Sequence, residues 1–187
     1  MSDRIPLPRP GQGADKARMD EILRVDHAGE YAAVLIYRAQ RAVFEARKGR
    51  EAITRDLAEM QDQEAVHLAR FERLLNERKV RPTAMTPVWR LAASALGAGT
   101  ALIGEKAAHA CTEAVESVIE QHYADQIAEI GDRDPALAAE LKQFREEELA
   151  HHDHAIEHGS REAPAYRLLS GVIKAGCRAA IKISEKV

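Results

Sequence analysis

The sequence predicts an all-α protein built around a four-helix bundle, and three observations carry that prediction. Four long segments repeat apolar residues at intervals of three and four, the period of a helix with one buried face. Aromatic residues make up only 4% of the chain and alanine is abundant, which suits helices packed through small aliphatic side chains. Glycine and proline fall mostly at the edges of the periodic segments, where helices stop. A chain of 187 residues can bury a sizeable core, and one domain is expected over residues 14–187.

Residues 1–13, MSDRIPLPRPGQG, hold no apolar run of signal-peptide length and are too short and proline-rich for a transit helix. They are expected to be a disordered tail that exports nothing. The first helix is expected from Ala14 to Lys48, where Met19, Ile22, Leu23, Asp26, Glu30, Val34, Tyr37 and Arg41 step by three or four, with Gly49 as the stop. Glu30 shares a face with Leu23, Val34 and Tyr37, so a charge interrupts an apolar stripe. Gly29 beside it costs about 1 kcal/mol against alanine unless a close approach requires it. The second helix, Glu51 to Lys79, lines up Leu57, Met60, Glu64, His67, Leu68, Phe71, Leu74 and Leu75, and again an ionisable pair breaks the apolar side.

The 80–104 segment departs from this pattern. Arg81-Pro82 and Pro87 precede Val88-Trp89-Arg90, and Leu91 to Gly104 carries no charge. Those fourteen residues are too few to span a bilayer. They fit a buried helix, a re-entrant hairpin or an interfacial segment. Trp89 and Arg90 resemble an interface anchor, a ring beside a snorkelling cation, and membrane contact is expected there and at Leu96.

The third long helix runs from Glu105 to Ile130 and Gly131 closes it. Thr112, Glu113, Glu116, Ile119, Glu120, Tyr123 and Ile127 share a face, so three glutamates compete for one role. Asp134-Pro135 starts the fourth helix as N-cap and first residue. It extends to His158-Gly159, with Leu141, Phe144, Glu148, His151, Ala155 and Ile156 inward. Glu146, Glu147, His152 and His154 are expected to be solvated or to sit behind an inner shell. A last helix, Ala165 to Lys186, has Arg167, Lys174, Arg178 and Lys182 in one stripe and Leu168, Leu169, Val172, Ile173, Ala180 and Ile183 opposite. It is an amphipathic helix that either packs on the bundle or lies on a membrane, with Arg178 as a contact.

The interruptions recur. Glu30, Glu64 and His67 become Glu116, Glu148 and His151 at offsets of 86, 84 and 84. Residues three apart on a helix project from one face, so each Glu-x-x-His can reach one ion. A Glu from each of two helices plus a Glu-x-x-His from each of two others is the ligand set of ferritin-like di-iron and di-manganese bundles. Four carboxylates balance two divalent ions when both imidazoles are neutral. Without a cation, four inward carboxylates would repel one another and raise each other's pKa. Oxygen-rich ligation with one His per ion and no thiolate suits iron or manganese better than structural zinc. The repeat offset favours Glu116, with Glu113 as second choice. Asp26, one turn before Glu30, is a candidate to hold an imidazole, and Tyr123 could line the pocket.

Composition narrows the partners. A net charge of −3 with dispersed basic residues excludes a general nucleic-acid role. Cys111 and Cys177 make no disulfide framework and suit a reducing compartment.

RVDHAGEYAA around Glu30, QDQEAVHL, VRPTAMTPVW followed by LGAGTALIGEKAAHACTEAVE, FREEELAHHDHA, and APAY with AGCRAAIKISEKV resemble the demethoxyubiquinone hydroxylase family of ubiquinone biosynthesis. The likeness covers roughly residues 18–187. It implies a di-iron monooxygenase that hydroxylates the ring of a polyprenylated demethoxyubiquinone or demethoxyubiquinol, with Glu30, Glu64, His67, Glu116, Glu148 and His151 as ligands. It also implies that His122 and Tyr123 line the pocket or stand behind the ligands. The substrate's isoprenoid tail would stay in the bilayer, with the 80–104 segment and the last helix forming the mouth. Family members of organelle origin carry a longer leader, so the resemblance points to the cytoplasmic side of a bacterial inner membrane. A lipid-binding accessory protein of ubiquinone biosynthesis is a plausible partner. The competing expectation is a ferritin-like iron-binding or peroxide-handling protein without hydroxylase activity. Storage requires a cage of many subunits, and exposed apolar segments fit a membrane better than a shell.

Overall fold

The computed structural model describes residues 12–187, with side chains from residue 15 onward, and among these residues every regular element is helical. The tail expected over 1–13 lies outside the described residues, except that its last two positions already belong to a helix. The elements are α1 (Gln12–Glu45), α2 (Glu51–Arg78), α3 (Thr86–Ile103), α4 (Glu105–Ile130), α5 (Pro135–Glu157), a 3-10 turn (Ser160–Glu162) and α6 (Tyr166–Ser184).

Local chemistry sets the boundaries. Gly49 takes φ +76° in the short turn that folds α2 back onto α1. Lys79 ends α2 in the left-handed conformation, and its N–H and that of Val80 reach back to the Asn76 and Leu75 carbonyls. This closing pattern seats the buried Val80 against Leu75. Asp134 caps α5 as expected, its Oδ1 accepting the Leu137 N–H at 3.1 Å, with Pro135 at the first position.

The hairpins α1–α2 and α4–α5 pack face to face as a four-helix bundle, and α3 is the long crossover between them. Two apolar layers fill the bundle. One joins Ile22, Leu23, Phe71, Leu74, Tyr123, Leu137, Leu141 and Phe144. The other joins Tyr37, Phe44, Ile53, Leu57 and Met60 with Ala101 and Ala108. Arg70–Glu140 at 2.7 Å, Arg78–Asp134 at 2.6 Å and Arg18–Glu129 at 3.0 Å tie the helices together outside these layers.

The 80–104 segment contains one 18-residue helix, α3, with one face packed, so it is not a re-entrant hairpin. Its inner stripe is Ala93, Gly97, Thr100 and Ala101. At Gly97 a Cβ would lie 2.4 Å from the Ile36 carbonyl oxygen, so the backbones of α3 and α1 touch where only glycine fits. Gly29 is different: nothing lies within 4 Å of a Cβ placed there, so no close approach accounts for it. Helix α6 lies beside α3 on the same side of α1 and α4, where Leu35, Ile36, Ala93, Cys111, Ala114, Val115 and Ile173 form a seam. The outer face of this pair is apolar too: Leu91 is 74% exposed, Leu168 69%, Val172 63% and Leu102 61%.

Two expectations change here. Leu96 is half-buried in the seam rather than turned outward. The apolar side of α6 divides, with Leu169 and Ile173 toward the bundle and Leu168 and Val172 away from it. Apolar residues spread over more than one face of a helix do not by themselves specify which face packs. Trp89 is half-buried and donates its indole N–H to Ser184 Oγ at 3.0 Å, linking α3 to α6, whereas Arg90 and Arg178 are exposed.

Candidate metal centre

Between the two apolar layers lies a polar one. Helices α1, α2, α4 and α5 send Glu30, Glu64 with His67, Glu116, and Glu148 with His151 into it, all 4% exposed or less. The arrangement divides into two groups, Glu30/Glu64/His67/Glu148 and Glu64/Glu116/Glu148/His151, each offering one ligand atom per residue within 4.8 Å of the others. Glu64 and Glu148 belong to both groups.

Their oxygens divide accordingly. Glu64 turns Oε2 toward His67 Nδ1 at 3.6 Å and Oε1 toward His151 Nδ1 at 3.0 Å. Glu148 turns Oε1 toward His67 Nδ1 at 3.3 Å and Oε2 toward His151 Nδ1 at 3.5 Å. Glu30 Oε2 lies 3.5 Å from His67 Nδ1 and closes the first group. Each shared carboxylate therefore presents one oxygen to each group.

Whether a cation fits can be judged from what these atoms lack. Buried polar atoms in folded proteins are almost always hydrogen-bonded. Here Glu30 Oε2, Glu64 Oε1, His67 Nδ1, Glu116 Oε2, both Glu148 oxygens and His151 Nδ1 have no hydrogen-bond partner. These unpaired atoms all face the shared interior. Oxygen and imidazole donors converging there could hold metal, and the residues present fit one.

The protonation of the cluster says the same. Burial pushes Glu30 well above the usual carboxylate range, with the Glu64 and Glu148 charges adding to it, and Glu116 is raised for the same reasons. Burial alone would lower both histidines. The carboxylates facing them win, holding His67 far above its ordinary value and His151 at about 9. In the metal-free cluster, protons do the neutralising that cations would otherwise do.

A second ring of residues holds the first. His67 Nε2 faces Glu147 Oε2 at 2.5 Å and His151 Nε2 faces Gln63 Oε1 at 2.5 Å, which directs each Nδ1 inward. Tyr37 donates to Glu116 Oε1, and Tyr123 donates to Glu30 Oε1. Burial and the neighbouring carboxylates raise both phenols well above their usual pKa, so they stay donors.

Tyr37, Gln63 and Glu147 were not picked out from the sequence as supports, although Glu147 was expected to be solvated or behind the inner shell. A signal was present. Gln63 and Glu147 are 84 residues apart and Tyr37 and Tyr123 are 86 apart, the offsets of the ligand repeat itself. Each support reaches across to the opposite repeat, so the contacts have the same approximate two-fold relation as the cluster.

Asp26 does not hold an imidazole of the inner set. Its Oδ1 accepts from Gln126 Nε2 at 2.7 Å and lies 3.5 Å from His122 Nε2, so Asp26, His122 and Gln126 make a separate buried network one turn from Glu30. Asp26 faces α4 at this height, where Gln126 projects. Glu113 is also accounted for. Its carboxylate accepts from Ser160 Oγ, from Tyr166 Oη at 2.7 Å and from Arg161 Nε at 3.3 Å, anchoring the 3-10 turn and α6 to α4. Of the competing glutamates on α4, Glu116 is the one in the buried cluster.

Fold and cluster together define a class: a ferritin-like helical bundle whose core could hold metal. The comparisons give the family. The model of the ubiquinone biosynthesis protein COQ7 family matches residues 17–184, and the chain belongs to that family. It is 49% identical over 178 residues to the 3-demethoxyubiquinol 3-hydroxylase of Rhodospirillum rubrum, covering 95% of this chain and 82% of that protein. It is 48% identical to the mitochondrial NADPH-dependent 3-demethoxyubiquinone 3-hydroxylase of Mus musculus, covering 92% and 79%. The mitochondrial 5-demethoxyubiquinone hydroxylase of Saccharomyces cerevisiae is 40% identical, covering 93% and 80%.

Proposed function

We propose that this chain is an O2-dependent hydroxylase of ubiquinone biosynthesis that acts on the ring of a polyprenylated demethoxyubiquinol or demethoxyubiquinone. Its relatives carry that activity in their names over nearly the whole chain. The observation that carries the mechanism is the pair of shared carboxylates, each with one oxygen toward each half of the centre. Glu64 and Glu148 would contribute to holding iron in both halves, with Glu30 and His67 completing one ligand group and Glu116 and His151 the other. An iron pair bound there would supply redox electrons for activating O2. The overall reaction converts a ring C–H to C–OH, reduces the second oxygen atom to water, and consumes two electrons and two protons from a reductant.

The protein's part is positioning and proton control. Glu147 and Gln63 fix the imidazoles, and Tyr37 and Tyr123 hold Glu116 and Glu30 through hydrogen bonds that leave one oxygen of each glutamate free. The apolar layers above and below exclude water from the reacting atoms. Ala33, Ile36, Tyr37, Thr112, Val115 and Glu116 line a small buried gap between α1 and α4, too tight to hold water, which would have to widen to admit a ring. That is the side covered by α3 and α6.

The outer face of α3 and α6 supports docking on a membrane. Of the ten large hydrophobic residues exposed among the described residues, seven lie on these two helices. Arg90, Arg167, Arg178 and Lys182 flank them as exposed cations suited to anionic headgroups. Among the described residues no helix is long and apolar enough to cross a membrane. The protein would sit on the surface and receive a ring whose tail stays in the bilayer. Unpaired Cys111 and Cys177 suit the reducing, cytoplasmic side of a bacterial inner membrane. A lipid-binding accessory protein would be a further partner on this face.

The test is to load the protein with Fe(II), add a demethoxyubiquinone analogue, a reductant and 18O2, and examine the product by mass spectrometry. A product heavier by one labelled oxygen is expected. Iron bound stoichiometrically with no such product would contradict the reading.

A further inference from the structure

Two turns along the bundle from the carboxylate layer, the structure gathers a second set of metal-ligating side chains. Asp56 lies eight residues before Glu64 on α2, His109 seven before Glu116 on α4, and His158 seven after His151 at the end of α5. At 1.5 Å per residue all three are displaced by about 10–12 Å, toward the same end of the bundle. His154 stands one turn short of His158, so the two imidazoles share a face.

We propose that Asp56, His154 and His158 form a separate binding site for a divalent first-row transition-metal ion, with zinc as the representative ion. One ligand atom from each of the three lies within 4.8 Å of the other two. His158 donates its Nδ1–H to the His154 carbonyl at 2.8 Å, which fixes the ring and leaves Nε2 as its lone-pair atom. His154 Nε2 is buried, has no hydrogen-bond partner, and lies 3.5 Å from Asp56 Oδ2. Two imidazole nitrogens and one carboxylate oxygen are a three-ligand set for a borderline cation, with a position left for water or a fourth group.

His109 packs against the two histidines. Its ring centroid is 5.4 Å from that of His158 and 5.9 Å from that of His154, and the His154 and His158 rings stack at 4.0 Å. Burial and the neighbouring imidazoles hold His109 down at about 4, and His154 is lowered for the same reasons. Both are therefore in the neutral, ligating form near neutrality. His154 Nε2 faces Asp56 Oδ2 without a hydrogen bond, and a cation held by both would give that buried nitrogen a partner.

The site is independent of the proposed chemistry at the bundle centre, and the test keeps the two apart. Tag-free full-length protein is equilibrated with micromolar free Zn(II), and total iron plus zinc per chain is counted by mass spectrometry. The wild type is expected to hold one ion more than the His154→Ala/His158→Ala double variant, because zinc that displaces iron at the centre leaves the total unchanged. Helicity measured by circular dichroism identifies a misfolded variant. Asp56→Asn provides the milder test and is expected to weaken the additional ion roughly tenfold or more in a zinc titration. Equal metal counts in wild type and folded double variant, or an affinity unchanged by Asp56→Asn, would overturn the proposal.

Discussion

Glu64 and Glu148 each turn one oxygen to each half of the centre, so removing either should empty both halves. Glu64→Ala and Glu148→Ala are expected to lose most of both ions and all hydroxylase activity while keeping helicity. Glu30→Ala or Glu116→Ala should lose chiefly one ion. Elemental analysis and circular dichroism check this, and full metal content in Glu64→Ala would refute its assignment as a shared ligand. The six inner residues were legible in the sequence because a charge on an apolar helical face is rare and the pattern occurs twice. Tyr37, Gln63 and Glu147 were less legible because their partners lie on other helices. Which side chain meets which across a bundle depends on helix rotation, and periodicity within one helix does not set rotation. Asp26 went astray for the same reason: it shares a helix with Glu30, but it faces Gln126 and His122.

At the scale of elements, the same glycine type plays opposite parts. Gly97 meets the Ile36 backbone, so Gly97→Ala must push α3 off α1 and should cost about 1–3 kcal/mol, by analogy with overpacked cores. Gly29 faces open space in mid-helix, and Gly29→Ala should add roughly 0.5–1 kcal/mol. Urea unfolding of both variants decides, and a stabilising Gly97→Ala would show that α3 does not pack as described. The helices themselves were readable to within a few residues because capping and stop signals are local, as at Asp134-Pro135 and Gly49. The rotation of α3 was not, because apolar residues lie on both its faces. The outward ones support a third prediction. Replacing Leu91, Leu102 and Leu168 with serine should weaken flotation with anionic liposomes while leaving metal content intact. Unchanged flotation would contradict membrane docking through this face.

For the whole molecule, the polar layer must be neutralised whether or not metal is present. Without metal, His67 and His151 are held protonated, and Glu30 and Glu116 are pushed up toward their protonated forms. Taking up divalent ions must expel those protons, since ligands bind metal in their deprotonated forms. Raised pKa values in the metal-free state mean that a falling pH favours that state, so metal affinity should rise with pH across the neutral range. Loading at pH 7 should release at least two protons per chain, read from the dependence of calorimetric heat on buffer ionisation enthalpy. Release of none would mean that the cluster is not where metal binds. The central claim is an iron pair joined through Glu64 and Glu148, and Mössbauer spectroscopy of 57Fe-loaded, air-oxidised protein tests it most directly. Two irons per chain with the diamagnetic ground state of a coupled pair are predicted; isolated paramagnetic iron, or one iron per chain, would contradict it.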